Sequence, residues 1–158
     1  MASLKYIFFL FLFALLGFSR EFIFVNINNL LFKIYYHNDS IIIPDSLSFL
    51  SNYNYSFIYY LKYLLTFLYY ILYFLISFYA VKIICNNKSI THYIVYIYAI
   101  LLLLASFIMA YNYIINRSLV GDEYTLSRWL MGIAQSPLVA FFTIATSVLY
   151  NNIYLKKH

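Results

Sequence analysis

One cysteine, three glycines, two prolines and 9% charged residues are little to work with in a chain of 158, and each scarcity closes off a class of protein. A lone thiol, Cys85, permits neither an internal disulfide nor a cysteine-based zinc cluster. So little Gly and Pro leaves no room for a flexible linker or a collagen-like segment. The ten Lys and Arg are scattered and make no basic stripe, so the net charge of +5 does not point to nucleic acid. His37, His92 and His158 lie far apart, with no pair at ligand spacing, so no metal, haem or other cofactor is expected. There is no Gly-rich phosphate loop, and no carboxylate lies deep in an apolar run, which argues against a proton-coupled carrier. A nucleophile at Cys85 would need a base, and His92, seven residues on, is the only candidate on its side. The chain is therefore not expected to be an enzyme.

What the chain has is hydrocarbon and aromatic rings: 65% hydrophobic residues, 20 Tyr and 16 Phe. That is too apolar to hide in one soluble core, and the expected fold is an all-α, polytopic membrane domain of about four spans, near 6–25, 57–81, 90–115 and 127–150. The first run, YIFFLFLFALLGFS, falls short of a full span and has two readings. It is a signal peptide cut near Gly17-Phe18-Ser19, or an uncleaved anchor that continues past Arg20-Glu21 into FIFV. The resumption of the apolar run favours the anchor.

Asn26 to Ser56 reads as a structured external loop. Within it, 29–36 forms a short interfacial helix with Lys33 reaching the headgroups, and Pro44-Asp45-Ser46 forms a turn in which Asp45 or Ser46 caps a second piece. In the second span Lys62 snorkels outward, while Tyr69, Tyr70 and Tyr73 lie deeper and need acceptors. Lys82 to Lys88 is a short turn without an acid. The third span offers Ala105, Ser106 and Ala110 as small packing surfaces. A polar loop with a turn at Gly121-Asp122 then leads to Thr125 or Ser127 as a cap for the last helix.

Charge sidedness gives an orientation. Lys5, Lys82, Lys88, Lys156 and Lys157 fall on one side with no acid, and Arg20, Lys33, Lys62, Arg117 and Arg128 fall on the other with all five acids. That five-against-five division becomes five against two once Arg20, Lys62 and Arg128, inside or at the edge of spans, are set aside. Both termini are thus placed in the cytoplasm.

The last run opens with Arg128-Trp129-Leu130-Met131-Gly132-Ile133-Ala134-Gln135-Ser136-Pro137. On an uninterrupted helix Arg128 and Gln135 share a face, with Gly132 between them as a flat spot for a neighbouring backbone. Pro137 cannot donate, which leaves the Ile133 carbonyl without its usual partner. Arg128, Gly132, Gln135 and Pro137 are the candidate docking face, and Arg20, Glu21, Asp122 and Glu123 are the candidate charges around it. The plainer alternative is a snorkelling arginine beside a tolerated kink.

Several features together resemble the small exosortase-associated integral membrane proteins of Gram-negative bacteria, such as those accompanying exosortase F. They are the short first span ending in Arg20-Glu21, the aromatic external loop, the second span after Tyr59-Tyr60-Leu61-Lys62, the Lys82–Lys88 turn, and a last span opened by Ser127-Arg128-Trp129-Leu130 and carrying Gln135 and Pro137. Arg128 is single here where the family often doubles it, and Ser136 stands between Gln135 and Pro137. The resemblance implies a non-catalytic accessory protein in the bacterial inner membrane, partnering a protein-sorting enzyme. An accessory subunit of a respiratory or other energy-transducing complex is the alternative of a different class, and a small carrier or channel the third. In each case the expected partners are the lipid bilayer and other integral membrane proteins.

Overall fold

The computed structural model describes residues 2–37, 40–85, 87–116 and 125–154. Among them there is no strand. In chain order the elements are α1 (Ala2–Tyr36), a 3₁₀ helix (Asp45–Asn52), α2 (Tyr55–Cys85), α3 (Lys88–Asn116), α4 (Thr125–Ala134) and α5 (Leu138–Tyr154). Three helices are long and apolar enough to cross a membrane, or four if the bent pair α4 and α5 is one span. The chain divides into two compact units, one of residues 14–69 and one of residues 1–13 with 70–158.

In the unit of residues 14–69, the first helix does not stop at Asn26 as expected but runs to Tyr36. One local and one long-range feature account for the longer helix. Asn26 satisfies its own amide by donating from Nδ2 to the Phe22 carbonyl, at 2.7 Å. Beyond it, Ile27, Leu30, Leu31 and Ile34 recur at helical spacing and pack with Leu50 and Ile58, so burial holds the segment helical despite its asparagines. The expected interfacial helix at 29–36 is therefore the end of α1. His37, at φ 50°, takes the left-handed conformation that closes a helix C-terminus.

The turn at Pro44 is present, but neither Asp45 nor Ser46 caps the helix that follows. Pro44 occupies the cap position without a side-chain bond, and its carbonyl accepts from the Leu47 amide at 2.9 Å. Ser48 and Ser51 instead donate back to the Asp45 and Ser48 carbonyls, and this local bonding accompanies the tight 3₁₀ winding.

In the other unit, Tyr70 of α2, Ile94 and Tyr98 of α3, Ala134 of α4 and Val139 of α5 form one buried cluster. Phe13 adds a ring stacked on Tyr73, with centroids 6.2 Å apart, and meets Phe141 edge-on at 5.8 Å. Asn87 starts α3: its Oδ1 accepts from the Ser89 amide at 2.9 Å, and its carbonyl accepts from both the amide and the hydroxyl of Thr91.

Candidate functional site

The last apolar run is where sequence and structure differ most. It is not one helix but two, with axes turned by 59° across the break between Ala134 and Leu138. The break contains Pro137. The Gln135 amide still reaches the Met131 carbonyl at 2.9 Å, but the donor that would serve the Ile133 carbonyl belongs to residue 137, a proline, and is missing. Ser136 takes its place, giving the Ile133 carbonyl both its amide, at 3.2 Å, and its hydroxyl, at 2.7 Å. The Pro137 carbonyl then accepts from Phe141 and starts the ladder of α5. Ser136 thus caps the carbonyl that the proline orphans.

α4 packs along α3 through one side. Ser127, buried, donates from Oγ to the Ala105 carbonyl at 3.0 Å, so it joins two helices where a cap was expected of it. Ala105 is buried there, while Ser106 and Ala110 are exposed. Met131 and Ala134 continue the same side onto the Tyr98 cluster. The outer side carries Leu126, Arg128, Trp129 and Ile133, all exposed, with 69% of Trp129 uncovered.

The candidate face is therefore divided. Arg128 lies outward and Gln135 is buried, because Gln135 falls one residue past the end of α4 and the seven-residue spacing no longer runs on an unbroken helix. Gly132 is half-buried, and a Cβ placed on it would meet nothing within 4 Å, so no backbone among the described residues uses the flat spot. Arg128 and Gly132, four apart, and Trp129, three before Gly132, share one face of α4. Pro137 sits at the break.

Of the candidate charges, Arg20 lies on α1 with its guanidinium carbon 5.6 Å from the Phe24 ring centroid. Glu21 is exposed on the same helix. Asp122 and Glu123, with the expected turn at Gly121, lie outside the described residues.

A buried polar seam was only half legible in the sequence. The need of the deeper tyrosines for acceptors is met for Tyr70, which donates to the Tyr98 carbonyl at 2.8 Å, and for Tyr69, which donates to Ser19 Oγ at 3.2 Å. Ser77 and Tyr98, not among the expected residues, place their hydroxyls 2.9 Å apart between α2 and α3 with almost no exposure. Their signal was the spacing: Tyr70, Tyr73, Ser77 and Ala80 recur on one face of α2, and Thr91, Ile94, Tyr98 and Ala105 on one face of α3.

Cys85 is half-buried against the Tyr98 cluster, and His92 Nδ1 donates to the Lys88 carbonyl at 2.6 Å. Among the described residues no three His, Cys, Asp or Glu side chains come together in a way that could hold a metal ion.

The class defined by these features is an all-helical protein with several helices apolar enough to cross a membrane. No family model, no curated protein and no solved structure matches the chain.

Proposed function

We propose that this chain is an integral protein of a bacterial inner membrane, with both termini cytoplasmic, acting as a non-catalytic accessory partner of another integral membrane protein. The exosortase-type sorting enzyme that its layout suggests is the partner proposed. The observation that carries the reading is the outer face of α4, where Arg128 and Trp129 are exposed beside a glycine with open space above it. In lipid, helices associate through close packing and interhelical hydrogen bonds, and a small residue on an exposed face lets a second backbone approach. Trp129 and Arg128 add an aromatic plane and a cation on the same face, two residue types enriched where proteins meet.

Co-purification from native membranes tests this. Gly132→Leu fills the open space and is expected to cut recovery of the partner several-fold at unchanged abundance of the chain. Recovery equal to wild type removes the face from consideration, and capture of respiratory subunits in place of a sorting enzyme replaces the partner.

A further inference from the structure

An apolar groove of about 210 Å³ runs between the start of α1, the end of α2 and the first half of α5. Its walls include Phe9 and Phe13, Ala80 and Ile84, and Phe141 and Ala145. The only polar atom its lining side chains bring is the Tyr6 hydroxyl. Protein interiors leave few voids larger than a water, and an apolar cavity of about 150 Å³ stays dry and takes up a benzene-sized hydrocarbon. A groove of this size on helices apolar enough to cross a membrane is therefore a place for hydrocarbon.

The charge at its mouth specifies the headgroup. Lys5 is exposed one turn before Phe9 on the same face of α1, next to Tyr6 at the rim. The first turn of α1 has no acidic residue, and neither 1–20 nor 46–121 contains Asp or Glu. The other lysines on the neighbouring helix ends, Lys82 and Lys88, are exposed as well. A phosphate without a compensating choline is the headgroup that this positive end of the groove attracts.

We propose that the groove between residues 6–13, 80–84 and 141–145 holds an acyl chain of an anionic phospholipid whose phosphate meets Lys5. The full chain, purified in mild detergent and stripped of lipid, is incubated with phosphatidylglycerol or phosphatidylcholine, and bound lipid is counted by native mass spectrometry. Wild type is expected to retain phosphatidylglycerol several-fold more than phosphatidylcholine. Ala145→Phe, at an exposed position on the groove wall, is expected to lower retention of both. Lys5→Gln is expected to bring the two lipids level. Equal retention of both lipids by wild type overturns the proposal, as does undiminished retention of phosphatidylglycerol by a helical Ala145→Phe protein. Should Ala145→Phe lose helicity, Lys5→Gln decides alone, and an unchanged preference for phosphatidylglycerol overturns the proposal. Self-crosslinking through Ala145 that excludes lipid assigns the groove to a second copy and also overturns it.

Discussion

Removing either end of the hydroxyl pair between Ser77 and Tyr98 should not cost the same. The two oxygens are 2.9 Å apart and both residues are buried, at 0% and 1% exposure. Tyr98→Phe keeps the ring that meets Tyr70 and Phe74 edge-on and removes only the hydroxyl. Ser77 then has an alternative, because a serine within a helix can turn its hydroxyl to the carbonyl one turn earlier. The loss should therefore stay near the average for an interhelical bond in a membrane protein, about 0.6 kcal/mol. Ser77→Ala is different. It strands the Tyr98 hydroxyl, which is held too far out on its ring to reach its own backbone, and a buried hydroxyl without a partner costs about 1–3 kcal/mol. The double variant should cost little more than Tyr98→Phe alone, since the stranded group is then gone. Detergent-titration unfolding in mixed micelles, followed by far-ultraviolet circular dichroism, reads all three. Equal costs for the single variants, or strict additivity in the double, would refute the reasoning.

Two further outcomes follow from the ends of helices. Asn87→Ala removes the acceptor for the Ser89 amide and should cost about 1 kcal/mol of stability in the same titration. The proposed orientation, with both termini cytoplasmic, requires reporter fusions after Lys88 to be active as cytoplasmic reporters and a fusion near Asp45 as an external one; a cytoplasmic signal near Asp45 would reverse the orientation.

Helix content was legible because the runs of Leu, Ile, Phe and Tyr are long, and length distinguishes a membrane helix from a buried strand. The turn expected over Lys82–Lys88 is narrower in the structure, where α2 continues through Lys82 to Cys85 and α3, capped by Asn87, starts at Lys88. The extent of α1 was not legible. Asn26, Asn28 and Asn29 lower helix propensity, and the packing that outweighs them comes from residues further along the chain, among them Ile43, Leu47, Leu50 and Ile58. No local rule contains that information. The docking face was half legible for a related reason. Spacing arguments assume that the helix continues, and α4 ends at Ala134, before the period from Arg128 reaches Gln135. The sequence reading of the proline as an orphaner of the Ile133 carbonyl was the correct premise, but the break also moved Gln135 off the face.

Whether the proline causes the bend or merely permits it can be separated. Ala134, at 0% exposure, and Val139, at 7%, lie on either side of the break and enter the same cluster with Tyr98. A straight helix through both would have to carry one of them away from it. Pro137→Ala restores the missing amide and removes an interior penalty of about 3 kcal/mol, which favours straightening. Against this stand the Ser136 bonds that already satisfy the Ile133 carbonyl, so the new amide gains less than a full bond, and the packing on both sides of the break. The bend should therefore survive the substitution. Spin labels at Leu126 and Leu149, both exposed, measure it. At about 1.5 Å per residue they would be about 34 Å apart on a straight helix and about 30 Å apart with arms turned by 59°. The shorter distance in both wild type and Pro137→Ala is expected. A lengthening by about 4 Å in the variant, by the same geometry, would assign the bend to the proline alone.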